Sequence, residues 1–483
     1  MLSLFRSLKN TFVPINRIPP EVLSLIPDHY NTDYADRVSI TLTHVSRGWR
    51  EIFISRSSLW TRLGFKSADK TRTYLQRSKT SPLHVCVNST HEAYPNHTLS
   101  LVTPHLSRLR SLIISADTIP DILRHFRCHA PLLERLDVKN TSPHAQMLNT
   151  SLFGGDLSPL RSLRLAGVTT RLPWTNMTNL TVFDLSCPPG HKVTVTQFLN
   201  FFQSAPLLYT VRIANSIPAS SDAPPGRIVS LRHLHTLAIT ASPVHSILNH
   251  LYVPTGASLR VCTTFGGEVS PLIHYLPETS PNIRNLSHVT AINLCIKPNA
   301  KCLKLSGPSG SFRLFAHTAP LPNADHRILS SLSPRMLSAI QWLSVSDYMH
   351  RNSTNLEQWP IFHTLLSTNN LRTLVLSQCD NQPFTSVLNP EENPSKLLLC
   401  PNLKEITLYE TAWPPAEGLI NMAKGRASSE AKLSLMTIII SADISPSEIG
   451  LLILRKHVTQ VECKVGVTRP AWDDLPDESV GGH

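Results

Sequence analysis

Histidine and cysteine are the first residues to consider for chemistry in this chain, because both commonly bind metals. His233 and His235 lie two residues apart, so in a strand both imidazoles would point to the same face. No third ligand accompanies them, and we interpret them as a surface pair. Cys295 and Cys302, the closest cysteine pair, also have no further ligand at metal spacing. We therefore predict structural cysteines and no bound metal.

Sequence motifs of the common catalytic sites do not occur. The chain contains neither GxGxxG nor the GxxxxGK loop followed by Ser or Thr, and it has no HExxH or GxSxG. Only 18 of the 483 residues are glycine, which argues against a nucleotide-binding fold. We expect no catalytic activity of its own and no cofactor.

Cysteine usage and hydropathy indicate where the chain resides. The nine cysteines are odd in number, widely spaced and without a CxxC pair, which favours a reducing compartment over a disulfide framework. No apolar run approaches the roughly 18 residues that a membrane span needs. We expect an intracellular protein, cytoplasmic or nuclear, with no membrane partner.

The positive charge is concentrated near the N-terminus. The formal net charge is +12, and residues 1–80 contain 13 Lys and Arg against 6 Asp and Glu, which accounts for +7 of it. A basic patch raises the possibility of nucleic-acid binding, which would weaken steeply with salt. Because no long run of one sign follows, we rank this function third and expect no nucleic acid as partner.

Hydrophobic spacing in the same region predicts helices. Val38, Leu42, Val45, Trp49 and Ile52 are separated by 4, 3, 4 and 3 residues, which places all five on one helical face.

A shorter helix is predicted upstream, and a last turn downstream. Ile18, Val22 and Ile26 are four residues apart, and Pro27 should end that helix. The downstream turn ends in LW at 59–60, and Ser57 or Ser58 would cap it. Three such short helices cannot enclose two tryptophans by themselves, so part of this surface needs a partner. That partner is either another protein or the rest of the chain, on which the helices would form a cap.

Three sequence blocks in this region resemble the F-box. They are IPPEVLSLI (18–26), LTHVSRGWR (42–50) and LW (59–60), against the pattern L-P-x-E-I-L-x-x-I, then L-V-C-R-x-W-R, then L-W. The order and spacing resemble in particular the F-box proteins that are numerous in mushroom-forming fungi. Ile18 replaces the usual leucine, Ser46 replaces the usual cysteine, and segment 27–40 is longer than the typical connection.

The resemblance implies that the N-terminal helices dock on a Skp-type adaptor, which binds a cullin and its RING partner in an SCF ubiquitin ligase. The arginines would face acidic surface on the adaptor, where complementary charge speeds association. The residues expected to form the F-box core and adaptor-binding surface are Ile18, Pro19, Val22, Leu23, Ile26, Leu42, Val45, Trp49, Ile52, Leu59 and Trp60.

A repeated phrase occupies most of the remaining chain. It has the form apolar-x-x-apolar-x-apolar, and its last three positions alternate as in a strand with one buried face. Eleven copies occur, at 109–115, 133–140, 160–167, 180–187, 208–215, 234–240, 289–295, 340–346, 371–377, 403–409 and 435–441. Helical stretches such as IPDILRHF, VTQFLNFF and WPIFHTLL precede some copies, and a proline often lies between helix and strand. Each unit therefore reads as helix, proline turn and strand.

Stacked units of this kind resemble a leucine-rich-repeat solenoid, with parallel strands on a concave face and helices outside. An ordinary parallel α/β domain is the alternative. The Asn or Cys that normally follows each strand is only approximately placed, at Asn140, Cys187, Asn215 and Cys379. We predict an α/β chain with an all-α F-box at 15–62, a linker and first divergent repeat at 63–103, the irregular solenoid at 104–470 and an acidic tail at 471–483. Segment 255–335 matches the phrase poorly, and we expect it to be a divergent part of the solenoid or an insertion.

The leading hypothesis is a substrate-recognition subunit of an SCF-type ubiquitin ligase, which holds an unknown protein substrate on the solenoid. Tyr209 and Tyr409 are plausible recognition residues, although ordinary packing explains them equally well. The alternative is a non-ligase leucine-rich-repeat scaffold whose N-terminal helices form a cap.

Overall fold

The computed structural model describes twenty stretches of the chain. They are residues 13–29, 35–65, 67–88, 96–148, 152–170, 176–188, 190–191, 193–215, 222–240, 244–265, 283, 286, 288–297, 300–318, 338–347, 368–377, 382–392, 398–409, 417–440 and 448–465. The acidic tail predicted at 471–483 and the helical stretch WPIFHTLL lie outside them.

The protein is mixed α/β and divides into two compact units, Met1–Pro218 and Ala219–His483. Seventeen of its strands belong to mostly parallel sheet. The division falls inside the segment predicted as one solenoid at 104–470, and the predicted boundaries remain predictions.

Short helices separate the strands. Within the described residues the α-helices are α1 (Pro20–Leu25), α2 (Ala35–Thr43), α3 (Arg47–Ser55), α4 (Ala68–Ser78), α5 (Asn96–Ser100), α6 (Ile119–Leu123), α7 (Val195–Ser204), α8 (His245–Leu248), α9 (Gln382–Leu388), α10 (Glu417–Ser428) and α11 (Glu448–His457). Turns of 3-10 helix lie at Pro14–Arg17, Ile26–His29, Ser57–Trp60, Thr103–Arg108, Arg124–Phe126 and Leu152–Gly155.

The strands of the first unit are β1 (Arg62–Gly64), β2 (Leu83–Asn88), β3 (Leu109–Ala116), β4 (Arg135–Asn140), β5 (Gln146–Met147), β6 (Ser162–Ala166), β7 (Val168–Thr169), β8 (Val182–Ser186) and β9 (Thr210–Ala214). Seven of them pair in parallel in the order β1, β2, β3, β4, β6, β8, β9. Because each of these seven strands pairs in parallel with the following one of the seven, every connection has to cross over, and the described parts of the connections contain short helices, turns and the small pair β5–β7.

The strands of the second unit are β10 (Val229–Ser230), β11 (Thr236–Thr240), β12 (Leu251–Tyr252), β13 (Ser258–Phe265), β14 (Ala291–Lys297), β15 (Ala300–Gly307), β16 (Gly310–Thr318), β17 (Trp342–Asp347), β18 (Thr373–Ser377), β19 (Glu405–Tyr409), β20 (Leu435–Ile440) and β21 (Gln460–Val465). Strands β17 to β21 pair in parallel and in chain order.

The described part of segment 255–335 contains a different pairing pattern. Strand β15 pairs antiparallel with both β14 and β16. Strands β13 and β16 then pair in parallel, as do β14 and β17. A single antiparallel strand, β15, thus lies between β14 and β16, which run parallel to their other neighbours.

The strand predictions are confirmed, because each of the eleven repeat phrases overlaps one strand of the 17-stranded sheet. The helices predicted before two of them are present as α6 and α7, and α7 begins with a capping box in which Thr194 and Gln197 exchange hydrogen bonds. Alternation places one face of each strand in the core: the apolar residues Leu136, Leu163 and Phe183 occupy equivalent register positions and are completely buried.

The Asn or Cys expected after each strand has different roles in different repeats. Asn140 is nearly buried and its amide nitrogen donates to the carbonyl oxygens of His144 at 2.7 Å and Gly167 at 2.9 Å. Cys187 is buried as well, whereas Asn215 adopts a positive φ of 57°. Cys379 lies outside the described residues. In the described part of the chain, no helix is long and apolar enough to cross a membrane.

Candidate functional site

Helices α1, α2 and α3 form a small helical module at residues 18–60. Helix α1 starts with Pro20, whose missing N–H costs nothing in a first turn, and ends at Leu25. The 3-10 turn that follows contains Pro27, as expected of a proline that ends a helix. The last turn, Ser57–Trp60, is also present, but Arg56 occupies the capping position and no side chain caps it. The cap predicted at Ser57 or Ser58 is therefore wrong.

The single helix predicted from Val38 to Ile52 is also wrong, because the chain breaks into α2 and α3. Ser46 adopts an extended conformation between them, and its hydroxyl accepts a hydrogen bond from the Trp49 N–H at 3.2 Å. A serine that caps a new helix competes with continuation of the old one. Val45 consequently lies in the turn and is 48% exposed instead of facing the core.

The core of the module consists of four buried side chains, Leu23, Leu42, Trp49 and Phe53. The Trp49 and Phe53 rings meet edge to face, with centroids 5.5 Å apart. One residue from each of α1 and α2 and two from α3 contribute to this cluster, so it holds the three helices together.

Trp60 belongs to a different contact. Its indole packs edge to face on Tyr74 of α4 at a centroid distance of 5.0 Å, and the Arg77 guanidinium lies 4.3 Å from the indole ring. The Trp60 side chain is 1% exposed. It therefore joins the helical module to the α/β structure that follows, in addition to closing the module.

Helix α4 is itself fixed at its C-terminal end. The nearly buried Arg108 donates to the Ser78 hydroxyl at 2.9 Å and to the carbonyl oxygens of Ser81 at 3.1 Å and Leu75 at 3.3 Å. Burial lowers the pKa of this guanidinium. Arg108 satisfies acceptors that the end of a helix leaves open, and so ties α4 to the chain that enters β3.

The eleven predicted site residues fall into three groups. Four are buried: Leu23, Leu42, Trp49 and Trp60. Four are partly buried and pack against the core cluster: Ile18, Ile26, Ile52 and Leu59. Three are exposed: Pro19, Val22 and Val45.

Sequence reasoning missed two residues of this module. Phe53 is completely buried and central to the core, and its spacing of four residues from Trp49 could have identified it. Leu25 is 53% exposed and lies three residues after Val22 on α1, so the two share a helical face. Neither residue was among the predicted site residues.

Exposed hydrophobic side chains are concentrated around the module. Of the fourteen large hydrophobic residues that are exposed in the described part of the chain, six lie within the first 45 residues: Val13, Ile15, Val22, Leu25, Ile40 and Val45. Concentrated exposure of this kind is typical of a protein-interaction surface.

The arginines of the module are attached to its helices in different ways. Arg50 donates from Nε to the Thr43 carbonyl oxygen at 3.0 Å, which links α3 to the end of α2. Arg47 is exposed at the start of α3. These positions leave positive charge at the surface of the module.

The exposed faces of the strands differ in charge between the two units. In the first unit, Asp137, Arg164, Asp184 and Arg212 occupy equivalent positions on four neighbouring strands, so acidic and basic residues alternate. Burial raises the pKa of the Asp184 carboxyl, while Arg212 and Arg164 oppose this shift.

In the second unit the corresponding row is basic. Arg260 on β13, Arg313 on β16 and Lys304 on β15 are register neighbours. Three cations on adjacent strands favour an acidic binding partner.

The histidine pair considered as metal ligands lies before β11, and the cysteine pair lies on β14 and β15. His233 and His235 are both exposed and precede β11, so strand alternation does not orient them. Cys295 and Cys302 are register partners in the antiparallel pair β14–β15. Among the described residues, no group of three or more His, Cys, Asp or Glu side chains is arranged to hold a metal ion.

Tyr209, a predicted recognition residue, is 49% exposed immediately before β9, and Tyr409 at the end of β19 is partly exposed.

Comparison of the chain with protein-family models gives no match, and comparison with curated proteins gives none either.

Proposed function

We propose that this protein is an F-box protein with leucine-rich repeats that serves as the substrate-recognition subunit of an SCF-type ubiquitin ligase. The helical module would dock on a Skp-type adaptor, and the adaptor would connect it to a cullin and its RING partner. The repeats would form a solenoid that holds a protein substrate near the ubiquitin-charged enzyme. The protein's contribution would be proximity, without bond chemistry of its own.

One observation carries this proposal most strongly. Three short helices share a core of Leu23, Leu42, Trp49 and Phe53, yet leave Val22 and Leu25 exposed on one face of α1. Two neighbouring hydrophobic side chains exposed on a module that already has its own core favour contact with another protein. The three sequence blocks of the F-box pattern fall on these same helices.

The repeats support the substrate-binding half of the proposal. Eleven phrases supply strands that mostly pair in parallel and in chain order, which is the arrangement expected of a solenoid. The row Arg260, Arg313 and Lys304 makes an acidic segment of a protein the favoured substrate feature.

The test is co-expression and co-purification with a Skp-type adaptor of a mushroom-forming fungus. The informative variant is Val22→Asp with Leu25→Asp, because both positions are exposed and surface substitutions usually change stability by less than about 0.5 kcal/mol. The matched control is Ile449→Asp with Leu452→Asp, an exposed pair at the same three-residue spacing on α11. We expect the adaptor to be retained by the wild type and the control, and lost by the first variant.

Trp49→Ala provides a second comparison. It should remove about 3–5 kcal/mol of stability by opening a cavity in the core of the module, and adaptor binding should be lost with the fold. Failure of the folded wild-type chain to retain any adaptor would refute the ligase function.

The alternative function is a non-ligase scaffold in which the helices only cap the repeats. The packing of Trp60 on Tyr74 favours it, because this contact joins the module to the following α/β structure. In that case deletion of residues 1–62 would destabilise the repeats, and the Val22 and Leu25 variant would bind the same partners as the wild type.

A further inference from the structure

Helix α11 exposes two large hydrophobic side chains to solvent. Ile449 is 72% exposed and Leu452 is 58% exposed, which makes them the two most exposed large hydrophobic residues in the described part of the chain. They lie three residues apart, so they are neighbours on one side of the helix. Together they form a hydrophobic surface, which we call the α11 patch.

Another side of α11 is already packed against the second unit. Leu451, Leu454 and Val458 are buried, and the helix contacts α10 and β21. A helix that only covers the core of its own chain normally has a polar outer side. Because α11 is hydrophobic on its outer side as well, its sequence is typical of a helix that has a second packing partner.

Strand β21 lies at the same edge of the second unit. It pairs with β20, and no other described strand pairs with it. In arrays of helix–strand units each unit covers the hydrophobic face of its neighbour, and the last unit has a polar outer face. The unit made by α11 and β21 lacks such a polar face, because Ile449, Leu452 and Val465 are all exposed.

The charges on α11 complement those on a second copy of the same helix. Glu448 lies in the first turn, Arg455 and Lys456 lie in the last, and all three are exposed. Glu448 and Lys456 are each four residues from Leu452, just over one helical turn on either side of it. In an antiparallel pair of α11 helices with Leu452 at the two-fold axis, Glu448 of each copy would meet Lys456 of the other.

This arrangement favours a second copy over a partner of uniform charge. An acidic partner would match Arg455 and Lys456 but would be repelled by Glu448, and a basic partner would have the opposite problem. In the symmetric pair, Ile449 would pack on Leu452 of the other copy and on the hydrocarbon part of its Arg455. Such a self-complementary surface is what a two-fold dimer interface requires.

We propose that the α11 patch is a self-association surface through which two copies of this chain form a symmetric dimer. A helix of ten residues is about 15 Å long, so the contact is smaller than the roughly 800 Å² per partner of a standard interface. The edge of β21 would extend it. The dimer is therefore reversible, with a dissociation constant in the micromolar range. This proposal goes beyond the ligase function and does not depend on adaptor binding.

The test is sedimentation velocity of the full chain at concentrations from about 1 to 100 µM, which bracket micromolar affinity. The patch variant is Ile449→Asp with Leu452→Asp. Its matched control is Val22→Asp with Leu25→Asp, an exposed pair at the same spacing on α1. Thermal unfolding establishes that each variant is folded. We expect the wild type and the control to dimerise as concentration rises, and the patch variant to have a dissociation constant at least about tenfold higher.

Exchange of charge tests the antiparallel arrangement and leaves the hydrophobic residues in place. Glu448→Lys or Lys456→Glu alone should weaken the dimer about fivefold or more, because either change brings like charges together at both ends of the contact. The chain with both substitutions should recover the wild-type affinity. An equimolar mixture of the two single variants should recover it as well, because opposite charges then meet again at each end.

A folded wild type that stays monomeric over the whole concentration range would overturn the proposal. Dimerisation of the patch variant with wild-type affinity would also overturn it, since another surface would then hold the dimer. Failure of both the double charge variant and the mixture to recover affinity would contradict the antiparallel pairing of α11. The adaptor experiment gives a separate answer, because the patch variant should retain the adaptor as a monomer.

Discussion

The indole Nε1 of Trp60 donates a hydrogen bond to the backbone carbonyl oxygen of Phe53 at 3.0 Å, and both residues are almost completely buried. This bond connects the last turn of α3 to the 3-10 turn that follows it. It satisfies an acceptor near the end of a helix, where carbonyl groups lack partners within the helix. The two tryptophans of the module thus have separate roles: Trp49 holds the three helices together, and Trp60 joins them to α4.

Two replacements of Trp60 should distinguish the contribution of its hydrogen bond to stability from the contribution of its packing. Trp60→Phe leaves the buried Phe53 carbonyl unpaired and should cost about 1–3 kcal/mol. Trp60→Ala also removes the ring that packs on Tyr74 and should cost about 3–5 kcal/mol. Urea unfolding followed by circular dichroism measures both values, and equal stability of Trp60→Phe and the wild type would show that the bond contributes nothing.

Asn140 should be essential for the stability of its repeat. Its side chain makes three hydrogen bonds, because its amide oxygen also accepts from the Ser142 N–H at 3.0 Å. Asn140→Ala should lower the free energy of unfolding by about 2–3 kcal/mol, whereas Lys139→Ala at the exposed neighbouring position should change it by less than about 0.5 kcal/mol. Similar melting temperatures for the two variants would contradict this role.

Gly167, which faces Asn140, should not tolerate a side chain. Its φ is +69°, and an added Cβ would lie 3.1 Å from the Asn140 carbonyl oxygen. Gly167→Ala should therefore destabilise the first unit by about 1–3 kcal/mol through backbone strain and crowding. Gly226 has a similar φ of +82° but open space around an added Cβ, so Gly226→Ala measures the backbone strain alone. The difference between the two variants then gives the contribution of crowding. An equal loss in both variants would attribute the effect to φ alone.

Arg426 is a buried cation whose charge is used to satisfy backbone carbonyl groups. It is 0% exposed and donates from its two terminal nitrogens to the carbonyl oxygens of Leu399 and Cys400, both at 2.9 Å. Burial lowers the pKa of the guanidinium. Arg426→Met should cost about 2–4 kcal/mol because it removes both of these buried hydrogen bonds, although the Cys400 carbonyl oxygen keeps the one from the Leu403 N–H at 3.0 Å.

Lys424→Met is the matched control for Arg426, since Lys424 is exposed on the same helix. Thermal unfolding of the two variants gives the comparison. A melting temperature of Arg426→Met within error of the control would mean that the two hydrogen bonds add nothing to stability.

His84 should make the first unit less stable in acid. Burial lowers its pKa below the ordinary value of 6.5, nearby Arg62 and Arg110 lower it further, and Glu134 opposes them. Because the folded state favours the neutral imidazole, its contribution to stability is present above pH 6.5 and is lost as the pH falls from there through the folded-state pKa.

His84→Gln tests this linkage, because glutamine does not titrate. The decline in the free energy of unfolding between pH 7 and pH 5, measured by urea unfolding, should be shallower in the variant than in the wild type. The decline will not vanish, because burial also lowers the pKa of His105 and His125. Parallel curves for the two proteins would show that His84 does not contribute to the loss of stability in acid.

The sequence by itself determined the strands and their parallel order. Residues such as Leu136 and Val138 alternate with polar neighbours, and that period of two is a local property that each repeat phrase carries completely. It also located the short N-terminal helices, because the four-residue steps of Ile18, Val22 and Ile26 and the stop at Pro27 depend on neighbouring residues alone.

Only the tertiary structure decided where the hydrophobic periods of the sequence stop predicting the structure. The hydrophobic period continues through Val45, yet the Ser46 cap breaks the helix and exposes Val45, because a side-chain hydrogen bond competes with the helical backbone. The antiparallel strand β15 and the pairing of Trp60 with Tyr74 likewise depend on contacts between residues that the sequence does not link by any period.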